Sequence, residues 1–169
     1  MKQTDIQFYK ITRSMISGEK EIKAVIPYDS YAVFKNPALL ADNNKFTMVK
    51  GRNTYDVVPY QDVFNFAISE KLKIALEQNG ITGWLCYPII IDGIKGNYFG
   101  FWVTGKGGRV TKFDKDGAVP MLKPLKWDQT AWDGSDIFNI EDTGIKACTP
   151  RAAEIFHQFN CKSIIVKPL

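Results

Sequence analysis

The feature that most constrains the fold of this chain is a near-repetition. The stretch AISEKLKIALEQNGITGWLCYPI, residues 67–89, has a counterpart in ACTPRAAEIFHQFNCKSIIVKPL, residues 147–169. A shift of eighty residues places Ser69 on Thr149, Leu72 on Ala152, Leu76 on Phe156, Gly80 on Asn160, Gly83 on Ser163 and Pro88 on Pro168. Few side chains are identical, yet the physical roles persist. Ser69 is an N-cap candidate, Leu72, Ala75, Leu76 and Asn79 recur at helical spacing, and Gly80 supplies a stop. Thr149 is the matching cap, Pro150 falls at N1 where its missing N–H costs nothing, and Ala152, Ile155, Phe156 and Phe159 form the apolar stripe. Upstream, DVFNF at Asp62 resembles DIFNI at Asp136 with an offset of seventy-four, which assigns six extra residues, EDTGIK, to the second copy.

Each copy therefore reads as strand, capped helix, turn, strand and proline. A helix of about eleven residues is marginal by itself and needs a sheet to cover. Two such units packing their helices on shared β structure satisfy both at once. The expected fold is a single α+β domain over residues 1–169, a mixed and mostly antiparallel sheet with two packed helices and an internal strand–helix–strand repeat. Residues 1–60 read as a strand meander, 62–91 as the first unit, 97–126 as a hairpin and linker, and 136–169 as the second unit. Within the meander IQFYKI, IKAVIPY and KFTMVK are strand-like, while NPALLADN holds a single helical turn. Gly105 to Gly108 reads as a glycine-rich turn.

The first twenty residues lack the continuous apolar core of a signal peptide, and no run is long enough to span a membrane, which predicts a cytoplasmic protein. Three cysteines without CxxC spacing argue against a disulfide framework or a zinc site. The formal charge of +4 conceals a gradient: residues 1–65 carry nine basic and seven acidic side chains, residues 66–126 nine and five, and residues 127–169 four and six. Every charge from Trp127 to Ile145 is negative.

Constellations that could carry chemistry are sparse. The single histidine, His157, could serve as a base for Cys148 or Cys161, but neither cysteine lies in a nucleophile motif; a solvated helix histidine is the simpler reading. DKDG lacks the later ligands of a calcium loop, GKGGR lacks the spacing and following helix of a phosphate-binding loop, and DGSDI does not fit a nucleophile elbow. These patterns predict no catalytic residue, no metal and no cofactor. Lys106, Arg109, Lys112, Lys115, Lys123 and Lys126, with Trp102 and Phe113, could form a nucleic-acid or phosphate-ligand module over residues 106–126, although the acidic segment that follows would repel phosphate. That segment, KWDQTAWDGSD, interleaves Trp127 and Trp132 with Asp128, Asp133 and Asp136. Aromatic anchors ringed by carboxylates suit the grip of a basic protein partner. The competing reading turns both indoles inward and leaves the aspartates to cap turns.

FAISEKLKIALEQNGITGWLCYPI, with its Ser-Glu-basic-Leu helix start, Gly-Ile-Thr-Gly turn and apolar strand ending in proline, resembles a bacterial family of immunity proteins of polymorphic toxin systems. The terminal DIFNIEDTGIKACTPRAAEIFHQFNCKSIIVKPL is similar to that family's closing unit, with Thr-Pro in place of Ser-Glu and Asn160-Cys161-Lys162-Ser163 in place of Gly-Ile-Thr-Gly. The two stretches cover a little under half of the chain. The resemblance implies a non-enzymatic protein that binds a cognate protein toxin, with no nucleic acid or membrane as partner. It carries over no contact residues.

Overall fold

The computed structural model describes residues 6–120 and 124–169. Its architecture is α+β, and the repeat organises it. In the first unit β4 (Val57–Pro59), β5 (Phe66–Ser69), α2 (Glu70–Gln78), β6 (Trp84–Pro88) and β8 (Tyr98–Val103) form a four-stranded antiparallel sheet in the order β4-β5-β8-β6 with one helix. In the second, β10 (Ile137–Glu141), β11 (Lys146–Cys148), α3 (Pro150–Gln158) and β12 (Ile164–Pro168) repeat the layout, and the central place of β8 is taken by β1 (Tyr9–Arg13) from the other end of the chain.

The equivalence holds at the level of register. Val57 pairs with Ile68 and Val58 with Ala67; eighty residues on, Ile137 pairs with Cys148 and Phe138 with Ala147. Phe99 lies between Ile68 and Pro88, as Tyr9 lies between Cys148 and Pro168. Both helices span nine residues, and the side chains of Ser69 and Thr149 accept from the amides of Leu72 and Ala152 as expected of N-caps.

The two helices pack on each other and on the inner faces of both sheets, giving one continuous core that includes Val57, Ile68, Leu72 and Leu76 with Ile137, Cys148, Ala152 and Phe156. Each unit thereby covers the other's apolar face. Two aspartates brace the pair. Asp56 accepts from Ser69 Oγ at 2.7 Å in its own unit and from the amide of Asn160, beyond the other unit's helix, at 3.0 Å. Asp136 accepts from Thr149 Oγ1 at 2.9 Å in its own unit and from the amide of Thr82, beyond α2, at 3.0 Å. Lys71 and Arg151, again eighty residues apart, pair with these carboxylates at 3.2 and 2.7 Å.

The outer face of each sheet is covered differently. Over the first lie β2 (Glu21–Ala24), β3 (Lys45–Lys50) and β7 (Ile90–Asp92), with Val33 of α1 (Ser30–Lys35), around Ile22, Phe46, Val58 and Tyr60. Over the second lies the segment that carries Val110, Trp127 and Trp132, packed on Phe8 and Phe138. Among the described residues no helix is long and apolar enough to cross a membrane.

Several sequence expectations need correction. There are three sheets among the described residues rather than one, and a further short helix, α1, is capped by Asp29. The N-terminal segment is not a self-contained meander, because β1 pairs with β11 and β12. The apolar run after Gly83 is two strands in two sheets, broken at Ile89. Residues 105–108 belong to a strand, β9 (Gly105–Arg109), which runs parallel to β10. A Cβ at Gly105 would strike the carbonyl oxygen of Ile137 and one at Gly108 that of Asp128, so this strand reaches its place only with glycine at those two positions. The offset of seventy-four is also wrong: residues 62–65 form a turn, and Asp56, not Asp62, is the counterpart of Asp136.

Candidate functional site

Folding divides the acidic and aromatic segment, burying Trp127 and Asp136 and leaving Asp128, Trp132 and Asp133 at least partly in water. Trp127 is 7 % exposed, with its ring edge-on to Phe8 and tilted on Phe138, both at 5.4 Å. Trp132 is half-buried against the same two rings, and its indole donates to the carbonyl of Ser135 at 2.9 Å. Asp128 and Asp133 close turns, accepting from the amides of Thr130 and Ser135, and Asp136 is buried in the brace. Of the five residues only Asp133 is exposed. Burial pushes the Asp136 carboxyl up, but bonds from Arg151, Thr82 and Thr149 outweigh it and hold it below the usual carboxylate range.

The thiol and histidine candidates are likewise structural. Burial pushes Cys86, Cys148 and Cys161 up to about 12, away from the reactive thiolate. His157 is exposed, and its Nε2 lies 3.1 Å from the carbonyl oxygen of Val166. Among the described residues no cluster of three or more His, Cys, Asp or Glu side chains is placed to hold a metal. In the basic segment Arg109 is paired with Glu141 at 3.3 Å and Asp142 at 3.2 Å, while Lys112, Lys115 and Lys126 line a surface concavity with Phe113, which is 51 % exposed. Lys123 lies outside the described residues.

A site that the sequence did not announce lies where the two units differ. In the first, Phe66, Phe101 and Trp84 form a stack, with centroids 5.1 and 5.5 Å apart and planes within 16°. The register assigns Lys146, Ile11 and Ile164 to the same three places in the second. One cation and two aliphatic chains do not fill the volume of three rings. A cleft of about 220 Å³ opens there, lined by these three residues and by Arg13, Phe64, Phe66 and Ser163 among others.

Two of the polar groups that line this cleft stand where the sister unit has Phe66 and Gly83. Lys146 is 6 % exposed and stands where the first unit has Phe66, on the inner face of its strand. Its ammonium donates to the carbonyl of Phe64 and lies 4.7 Å from the ring centre of Phe34 and 5.7 Å from that of Phe66. No carboxylate among the described residues comes within ion-pairing distance of it. Asp62, on the cleft wall, is already saturated: Oδ1 accepts from the amides of Phe64 and Asn65, and Oδ2 from Tyr28 and the Asn65 side chain. Arg13 pairs with Glu19 and Glu21 through Nη2 and donates from Nη1 to the carbonyls of Tyr60 and Asp62, while its buried Nε has no partner. Burial therefore pushes the Lys146 ammonium down to about 8, with Asp62 opposing from a distance.

The second group is Ser163, which is fully buried and whose hydroxyl has no partner. It replaces Gly83, where any side chain would strike the carbonyl of Ile137. The shift of eighty that sets Gly83 on Ser163 also sets Phe66 on Lys146 when it is carried upstream without a gap. The misplaced gap hid Lys146 inside EDTGIK.

Fold and site together define a duplicated α+β protein with an asymmetric cationic cleft. No protein-family model and no curated protein matches the chain.

Proposed function

We propose that the chain is a cytoplasmic immunity protein, without enzymatic activity, that neutralises a cognate bacterial toxin by stoichiometric binding. The observation that carries this reading is the exposed apolar rim around residues 61–65. Val63 is 76 % exposed, Tyr31 41 % and Val25 60 %, and Tyr31 packs on Phe64, whose carbonyl holds Lys146. Apolar and aromatic side chains held in water beside a rigid framework offer a protein partner buried area at little ordering cost. The positions behind the family resemblance support it too, since Ser69, Leu72 and Gly83 cap and pack rather than react. This rim replaces the Trp127–Asp136 segment as the contact surface.

Co-expression with its cognate toxin should restore growth, and the two chains should co-purify in equal numbers. Loss of both outcomes with an authentic toxin would refute the reading, and Val63→Asp with Tyr31→Asp should weaken the complex without unfolding the protein. A second reading, an oligonucleotide or phosphate-ligand module, is favoured by Lys112, Lys115 and Lys126 gathered around exposed Phe113. It requires binding that weakens steeply with salt.

A further inference from the structure

Lys146 and Ser163 are costly where they stand. A buried ammonium without a counter-ion and a buried hydroxyl without a partner each oppose folding, and the sister unit shows that a phenylalanine and a glycine serve the same places in this architecture. The pair lines one cleft, whose remaining wall is largely apolar and includes Ile11, Pro59, Phe64, Phe66 and Ile164. Its size matches one ring and one small polar group, since a cavity of about 150 Å³ holds a benzene molecule.

From this geometry we infer that the cleft binds a monocarboxylate carried on a single aromatic ring. The ring occupies space that Phe101 and Trp84 fill in the other unit, against the face of Phe66. The carboxylate supplies the missing counter-ion of Lys146 and an acceptor for the Ser163 hydroxyl. Asp62 cannot compete, because four donors from its own surroundings hold it. Arg13 keeps its two glutamates on Nη2 and the carbonyls of Tyr60 and Asp62 on Nη1, so only its Nε is left without a partner. Inorganic phosphate fits poorly, for it brings no apolar surface to a wall that is largely aliphatic and aromatic, and it would meet the Asp62 carboxylate there. The inference is independent of toxin binding.

The same chemistry is offered by a free aromatic acid and by a chain ending in phenylalanine, and both enter the test. Isotope-labelled protein is titrated separately with benzoate, benzamide, inorganic phosphate and a short peptide with a C-terminal phenylalanine, following backbone amide resonances. Benzoate or the peptide should shift the amides of Ile11, Lys146, Ser163 and Ile164 saturably; the ligand that does so identifies the source. Benzamide and phosphate should bind at least about tenfold more weakly, one lacking the charge and the other the ring. Lys146→Met should weaken binding by a similar factor, and Ile164→Trp, which returns the sister unit's ring to the cleft, should abolish it. Ile11→Phe serves the same end if Ile164→Trp does not fold. The inference is overturned if neither benzoate nor the peptide moves these amides, if benzamide binds as well as benzoate, or if Lys146→Met binds as tightly as the parent.

Discussion

Asp56 and Asp136 hold each other's units. Each carboxylate accepts from the hydroxyl that caps its own helix, at 2.7 and 2.9 Å, and from an amide beyond the other unit's helix, at 3.0 Å in both cases. A carboxylate with two or more such donors is a strong local acceptor, and replacing it leaves the donors unpaired in a buried place. The brace thus couples two helix starts to two helix ends.

Asp56→Asn and Asp136→Asn should each cost about 2–4 kcal/mol of stability by urea unfolding. The distinctive outcome is crossed: Asp136→Asn should speed hydrogen exchange at Thr82, and Asp56→Asn at Asn160. Faster exchange confined to the mutated unit would exclude the crossed brace.

The brace also predicts acid sensitivity. The Asp136 carboxyl is held below its unfolded value, so the unfolded state binds more protons there in mild acid. Its contribution is complete above the unfolded carboxylate range and disappears as pH falls through the folded value. The stability gap between the parent and Asp136→Asn should accordingly shrink on acidification, as measured by denaturant titrations at a series of pH values.

Lys146 gives the same sign of slope in an alkaline window, but its charged form opposes folding where the Asp136 carboxylate supports it. With its folded value near 8 and an ordinary value of 10.5, the unfolded state carries the extra proton between those limits, so stability from this group rises with pH across that window. Lys10, Arg13 and Asp62 are the other charged residues around the cleft. At neutral pH Lys146→Met should stabilise the free protein by about 1–3 kcal/mol, and the advantage should fade toward pH 10. The difference between the two proteins is the quantity to follow, because the three thiols lower the stability of both above their ordinary range.

Gly83 adopts φ +85°, and a Cβ there would meet the Ile137 carbonyl. Gly83→Ala should cost about 2–4 kcal/mol by thermal or denaturant unfolding, combining strain with a displaced strand. Ser163→Ala at the equivalent place should be neutral or stabilising, since it removes only an unpartnered hydroxyl.

Trp127→Ala should behave as a core truncation. Loss of the indole from between Phe8 and Phe138 should lower stability by about 3–5 kcal/mol in urea titrations, with a smaller loss from charge reversal at exposed Asp133, whose carboxylate accepts from Lys106 and Ser135. The reverse ranking would return the segment to the surface.

Much of this molecule was legible in its residues. Ser69 and Thr149 cap helices, Leu72, Leu76, Ala152 and Phe156 face the core, and the eighty-residue spacing relates two units, because capping and helical periodicity are local properties of the chain. Tertiary structure alone decided that β1 from the N-terminal segment sits between β11 and β12, that three glycines of β9 extend as a strand, and that Trp127 turns inward. The cleft belongs to that second group. It arises from what Lys146, Ile11 and Ile164 fail to fill once distant strands meet, and a volume shared among residues far apart in the chain has no signature in any one stretch of it.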